Sequence, residues 1–413
     1  MAIILLVMVL IVVSAVLLTK KYNLPKNISL LFISQPLVSC SAPIIVFIGG
    51  LLSSELTSNT SLATLPITLM ILGVATGSIP AAMIAKAKGR KFAVFTGFSC
   101  LLLAALIAVF ATQLALFYVF SIASFLFGIG TAFTHQLRFT AIESTENEED
   151  IPKILSILML SGVFAAFLGP EIAVTAKDWL NSPHGYSGSF LFLAILICVG
   201  AIIMLFFKEP DIKEVSNEGE ARPLSVITKQ PIFIIAIGTA TIGYALMSYL
   251  MTATPISMHH LQHHSLTETK WVIQSHIAAM YIPSLLTPWL VKKLTLKGLL
   301  IIGSAIYVIV ALIAFSGQEV MHYWWALMLL GIGWNFLFLT GTSLLPQSYK
   351  ACERHKVQAT NDFCLFGFQA VASLMAGWVL FIGGWNYVVL TSLPFIVILI
   401  IINIVYFKQK QTM

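Results

Sequence analysis

The chain has 413 residues, of which 58% are hydrophobic and 10% charged, with a formal net charge of +6. Soluble domains carry roughly a quarter charged residues, so this composition excludes an ordinary globular protein and requires a lipid solvent. A basic balance alone would also fit a nucleic-acid binder, and the placement of the lysines and arginines decides between the two.

A bilayer core about 30 Å thick takes roughly 20 apolar residues per helical crossing. Apolar stretches run over 2–19, 29–53, 63–85, 92–112, 114–137, 153–175, 187–207, 231–253, 271–291, 298–316, 321–346, 357–383 and 385–407. That is one early stretch followed by twelve. Residues 2–19 begin uncharged and are followed by Lys20 and Lys21, the reverse of a signal peptide. They read as an extra helix with its N-terminus outside, or else as a dispensable segment added by an upstream start. The longest polar interruption, 208–230, is rich in charge and falls between the sixth and seventh of the twelve, as a cytoplasmic linker would. The expected organisation is therefore an N-terminal segment and basic turn (1–28), a six-helix half (29–207), the linker (208–230) and a second six-helix half (231–413).

Alternating the loops between two sides places 21 of the 23 lysines and arginines on one side and only Lys177 and Lys270 on the other. This positive-inside split makes the crowded side cytoplasmic, puts the C-terminus there, and removes the nucleic-acid reading. Cys40, Cys100, Cys198 and Cys364 fall in apolar stretches and Cys352 in a cytoplasmic loop, so neither a disulfide framework nor a cysteine metal site follows.

The chain also repeats. Gly128-Ile129-Gly130 in the fourth helix and Gly331-Ile332-Gly333 in the tenth are 203 residues apart, as are Ile79-Pro80 in the second and Ile282-Pro283 in the eighth. Equal offsets pairing helix four with ten and two with eight are what two six-helix halves would give.

Together with the basic turn Gly89-Arg90-Lys91 between helices two and three, these features resemble the major facilitator superfamily over about residues 29–407. The family's turn carries an Asp-Arg pair where Lys86 and Ala87 stand here, and a leading glycine where Ala82 stands. Gly162, Gly169, Pro170 and Glu171 in helix five are similar to the Gly-Pro motif of proton-coupled exporters, with Ala173 and Val174 in place of its trailing glycines. Helix four keeps Gly128, Gly130 and Ala132 of another exporter motif, but Ser124 stands for its arginine. Trp334-Asn335-Phe336 and Asn361-Asp362-Phe363 are similar to stretches of poorly characterised bacterial members. The resemblance implies an all-α, twelve-helix transporter of the bacterial cytoplasmic membrane in two halves, plus the early helix. Such a protein is a monomer without a cofactor, working by alternating access on a small solute.

Polar side chains are costly in lipid and so mark the interior of such a bundle. Glu171 and His276 are the candidates for proton coupling, Glu171 as a carboxyl beside a proline and His276 as an imidazole that titrates near neutrality. Water contact near Lys177 for Glu171, and an interfacial place for His276, are the plain alternatives. Gln35, His135, Tyr244, Gln274, Trp334 and Asn335 are candidates for the solute cavity, Trp334 offering a flat face and Asn335 a directional hydrogen bond; packing through Gly331 and Gly333 competes for the last two. Arg138, Pro170, Asp362, Gly89 and Arg90 are candidates for gating, with helix caps and surface pairs as the alternative for the charged ones. In Met258–His264, a helical turn would align His260 and His264 at metal-ligand spacing, but a solvated loop fits as well and no metal is implied. Export of amphipathic compounds and import of a metabolite, vitamin or metal chelate remain open. A membrane enzyme lacks a ligand or acid–base cluster at one face, and a membrane sensor lacks a long signalling segment.

Overall fold

The computed structural model describes residues 1–145, 150–209 and 221–411, and among these all regular structure is helical. The first part comprises α1 (Ala2–Lys21), α2 (Lys26–Ser39), α3 (Ser41–Leu56), α4 (Leu65–Lys88), α5 (Arg90–Gln113), α6 (Phe117–Thr134), α7 (Leu137–Glu143), α8 (Ile151–Thr175) and α9 (Ser187–Leu205). The second comprises α10 (Leu224–Ile227), α11 (Pro231–Ile256), α12 (Leu266–Tyr281), α13 (Thr287–Ser316), α14 (Val320–Leu344) and α15 (Arg354–Gln411). Residues 210–220 of the linker lie outside the described residues.

Eleven helices among the described residues are long and apolar enough to cross a membrane. One of these, Lys356–Tyr406, has 51 residues, which at 1.5 Å each is about 77 Å, more than twice a ~30 Å core. It turns at Gly384, whose φ of +70° suits a residue without Cβ, and so supplies two crossings. The predicted eighth stretch is a further, interrupted crossing. It begins at Leu266 behind a capping box of Ser265 and Glu268, gives way to a 3-10 segment at Ile282–Leu286, and ends where α13 turns at Thr295. One early helix plus twelve crossings result.

The stretch 29–53 lies within one span, Lys26–Leu56, in which a kink at Cys40 separates α2 from α3. Pro43 is the reason: its ring has no N–H for the carbonyl four residues back and crowds that carbonyl. Gly169 of α8 crosses at this break, where an added Cβ would lie 2.8 Å from the Cys40 carbonyl oxygen.

The two halves repeat a crossing made by small residues. On α6, a Cβ at Gly128 would lie 2.0 Å from the Met70 carbonyl of α4, and one at Gly130 3.1 Å from the Gly97 carbonyl of α5. On α14, a Cβ at Gly331 would lie 2.7 Å from the His276 carbonyl of α12, and one at Gly303 of α13 would stand 3.3 Å from the Gly333 carbonyl. The paired glycines found 203 residues apart thus bring backbones together in both halves, since a lipid-soluble bundle coheres by close packing rather than by hydrophobic exclusion.

Helix α1 packs on α2 and α8. Ile4, Ile11, Ala15 and Thr19 form its buried stripe, Ser29 Oγ donates to Thr19 Oγ1 at 2.9 Å, and Leu5, Leu6, Val9, Val13, Val16 and Leu17 are exposed.

Candidate functional site

The halves meet along a seam at the end opposite the basic loops. Lys270 Nζ of α12 lies 2.7 Å from Glu171 Oε2 of α8, with side chains only 12% and 8% exposed. One turn deeper, Gln274 Nε2 donates to the Phe167 carbonyl at 2.9 Å. Deeper again, the Tyr281 ring lies against Gly162, where a Cβ would be 3.2 Å from it. The steps 171, 167, 162 and 270, 274, 281 run in opposite directions, so these are rungs between two antiparallel helices at the spacing that puts successive side chains on one face. A second line of contact joins Ser54 Oγ to His260 Nε2 at 3.0 Å and Thr64 Oγ1 to the Leu374 carbonyl at 3.2 Å.

Pro170 is buried beside the ion pair and leaves the Ala166 carbonyl without its helical donor. Glu171 is buried and paired with Lys270, where water contact near Lys177 was the plain expectation. His276 is wholly buried but, two residues from Gln274, faces the other way: its Nδ1 meets the Leu327 carbonyl of α14 at 2.7 Å and its Nε2 has no protein partner. The two residues expected to share proton coupling are therefore not brought together.

At the middle of the second half, four aromatic rings form one wall. Tyr244 of α11 meets Trp334 of α14 edge-on at 5.1 Å, Trp334 stacks on Phe338 at 5.1 Å and 10°, and Phe366 of α15 closes on Tyr244 at 6.5 Å. Several buried polar atoms around it lack protein partners: Trp334 Nε1, Thr241 Oγ1 and Ser248 Oγ, the last two on the Tyr244 face of α11. Gln35 Oε1 of α2 is also buried and unpartnered. Buried polar groups are ordinarily satisfied, so such atoms are what a polar solute or water would engage. Asn335 has another task. Its Nδ2 donates to the Met280 carbonyl at 2.8 Å and to Ser284 Oγ at 2.6 Å, binding the backbone where α12 breaks.

At the basic end the charges are spent within each half. Arg90 grips Glu143 through two nitrogens, Nε to Oε2 at 2.7 Å, and Glu209 accepts from the backbone N–H groups of Arg90 and Lys91. Gly89 makes that turn possible: its φ is +88°, and a Cβ would stand 2.9 Å from Glu209 Oε1. Gly89 and Arg90, expected at a gate, thus tie α5 to α7 and to the chain after α9. At the second half, Arg222 of the linker takes both oxygens of Glu353 at 2.7 Å and, with Gln230 at the linker's end, donates to the Ser348 carbonyl. Lys356 Nζ donates to the Arg222 carbonyl. Arg222, foremost, and the N–H of Lys350 hold the Glu353 carboxyl well below the usual carboxylate range.

Between the halves at this end, Arg138 of α7 and Asp362 of α15 are both exposed and within electrostatic reach of each other, yet form no ion pair. His135 is exposed one turn from Arg138.

The histidine run is not one face of a helix. Residues 257–261 form a π turn; His260 turns to Ser54, His264 Nε2 meets the Gln318 carbonyl at 2.8 Å, and no group of three or more metal-type side chains gathers among the described residues. Glu55 instead lies between His184 at 3.8 Å and His260 at 3.7 Å. They border a cavity of about 410 Å³, also lined by Lys177 and Asp178.

Sequence reasoning missed Lys270, Phe338, Phe366, Arg222 and Glu353. Phe338 follows Trp334 by four residues and was legible as a helical neighbour; Lys270 served only as a marker of sidedness.

Comparison with known proteins places this architecture. The model of the Major Facilitator Superfamily matches residues 30–366. The riboflavin transporter RfnT of Brucella anthropi is 32% identical over 93% of this chain and 96% of its own length. The uncharacterized MFS-type transporter YddS of Bacillus subtilis is 27% identical over 94% of this chain and 92% of its own. In fold, the chain is similar to a bacterial homologue of the human lysosomal transporter Spinster solved in an inward-facing, unoccupied conformation. That match has a TM-score of 0.68 at 15% identity, over 94% of this chain and 96% of that one. With the family model spanning most of the chain and the repeated halves present in the fold, this protein is a multi-pass membrane transporter that belongs to the major facilitator superfamily.

Proposed function

We propose that the chain carries a small planar aromatic solute of the flavin class across the bacterial cytoplasmic membrane by alternating access, coupled to protons. The aromatic wall of Tyr244, Trp334, Phe338 and Phe366 is the observation that carries this reading. An isoalloxazine ring is flat, apolar on its faces and polar at its rim. An indole and a phenyl ring offer it stacking faces, while Trp334 Nε1, Ser248 Oγ, Thr241 Oγ1 and Gln35 Oε1 remain to bind its rim or its polyol chain. The identity to a riboflavin transporter over nearly the whole of both chains favours a vitamin over a generic amphipathic compound.

The basic end is then cytoplasmic, with the C-terminus, and the molecule stands inward-open: sealed outside along α8 and α12, open inside between Arg138 and Asp362. In the outward-open state Arg138 and Asp362 close the inner mouth as an ion pair between halves 29–207 and 231–413, which rock about the midplane as a monomer. The test is uptake of labelled riboflavin by cells that lack their own carrier, with a thermal shift of the purified protein by riboflavin. Saturable uptake that collapses with the proton gradient supports the reading. No uptake and no shift, beside a shift by unrelated amphipathic cations, would move the assignment to export of such compounds.

A further inference from the structure

Glu171 belongs to the first half and its cation, Lys270, to the second. The carboxylate has little else: Thr175 Oγ1 reaches Oε1 at 3.4 Å. Other ionisable groups stand away from it. Lys177 and Asp178 follow farther out on the same chain segment, and Glu55 ends α3. On α12 itself Glu268 is spent on Ser265, and His276 faces α14. Helices α2 and α9, both packed on α8, carry no charged side chain along this stretch.

A buried carboxylate left with neither a cation nor a proton is costly, so removing one neutralising partner calls for the other. The rungs 171–270, 167–274 and 162–281 run from the outer end to the middle of the seam, so the outside cannot open without drawing Lys270 off Glu171. We infer that Lys270 is the internal counter-cation of a proton-coupling site at Glu171: the carboxylate holds Lys270 when the molecule is inward-open and a proton when it is outward-open. This rests on alternating access and not on the identity of the solute. On opening outward, one proton passes from water to Glu171 and forms its O–H bond, while the ammonium of Lys270, itself unchanged, turns to water. On closing, that O–H gives up its proton toward the cytoplasmic side, so that the proton taken from outside has crossed, and the carboxylate–ammonium contact re-forms. One proton is taken up and released per cycle, and the state that binds it is favoured as pH falls.

Spin labels at Ser58 and Gln262, exposed positions beyond α3 and α11 in opposite halves, read the outer opening directly in the full-length protein without any solute. From mildly alkaline to mildly acidic pH the wild type should shift from a short to a long distance, with the ratio of the two populations changing by about tenfold or more. E171Q, a permanent mimic of the protonated carboxyl, should show the long distance at every pH, and adding K270Q should change nothing further. The charge-swapped pair E171K/K270E should recover the short distance at alkaline pH, which separates loss of the latch from misfolding. The Glu55, His184 and His260 cluster is present unchanged in every variant and so does not distinguish them. If E171Q keeps the wild-type distances and their pH response, the inference is overturned. It is equally overturned if the wild type does not respond to pH while E171Q stands open, because the pair is then a latch without a proton. Absence of riboflavin uptake with the distance switch intact would instead remove the flavin reading and leave this one standing.

Discussion

Gly128→Ala tests the helix crossing on which the first half depends. The added Cβ would lie 2.0 Å from the Met70 carbonyl oxygen and 2.8 Å from the Gly73 Cα, both backbone atoms that no rotamer change can clear. Helices α4 and α6 must part by about an ångström, losing close packing along the crossing, at a cost of about 1–3 kcal/mol or more. Alanine returns about 1 kcal/mol of helix propensity, so the net effect stays destabilising. Gly331→Ala meets the His276 carbonyl at 2.7 Å and Ala279 Cβ at 3.2 Å, a milder clash. Gly367→Ala meets nothing within 4 Å and should gain the propensity without penalty. Thermal unfolding in detergent, followed by tryptophan fluorescence, should rank Gly367→Ala at or above wild type, then Gly331→Ala, then Gly128→Ala. If Gly128→Ala melts with Gly367→Ala, α4 and α6 are not in backbone contact and the repeated crossing is refuted.

Trp334→Ala should weaken binding of the stacked solute by about 1–3 kcal/mol, roughly 5- to 150-fold, and, because the ring is buried against Tyr244 and Phe338, should also lower the melting temperature; equal affinity in the folded variant would place the solute elsewhere. Glu353 carries a lowered pKa, so its stabilisation is complete at neutral pH and is lost as pH falls below about 4.5. Glu353→Gln should lower stability at neutral pH and flatten the acid limb of a melting-temperature profile, and an unchanged limb would mean that Arg222 does not hold that carboxyl. Deleting residues 2–19 removes a helix that buries only one stripe, and transport per folded molecule should persist; loss of folded protein would show α1 to be structural.

Crossings were legible because oil is a coarse signal: apolar runs of roughly 20 residues tolerate boundary errors of several positions. The paired Gly-x-Gly segments were legible for a similar reason, since only small residues allow the backbone approach they make. Less visible were the interruptions. Pro283 falls where α12 gives way to a 3-10 segment and Pro43 just after the kink at Cys40, while Pro80 and Pro170 sit inside continuous helices. Asn335 serves the break near Met280, a role that no local pattern reveals. Glu171 stood out alone as an intramembrane carboxyl, whereas Lys270 is 99 positions away and near a helix end, where a lysine ordinarily reaches water. Its pairing is a property of two packed halves. For His260 and His264, spacing four apart would align them only on an α-helix, and here a π turn at 257–261 leaves them on different partners.

The distribution of charge explains why such a molecule can move as two bodies. At the basic end, Arg90, Glu143 and Glu209 brace the first half, while Arg222, Glu353 and Lys356 brace the second. Each clamp closes on its own half, so opening or closing the inner mouth breaks neither. At the far end the order reverses, and Glu171–Lys270, Phe167–Gln274 and Ser54–His260 all cross the seam. Substitutions in the clamps therefore change how well each half holds together, while substitutions in the rungs change which state is populated. On the proposed cycle, the outer seam and the unpaired Arg138 and Asp362 are two sides of one equilibrium: an ion pair made between them at the inner face would offset the Glu171–Lys270 pair broken at the outer one, and so keep the two states close enough in energy for a proton and a solute to decide between them.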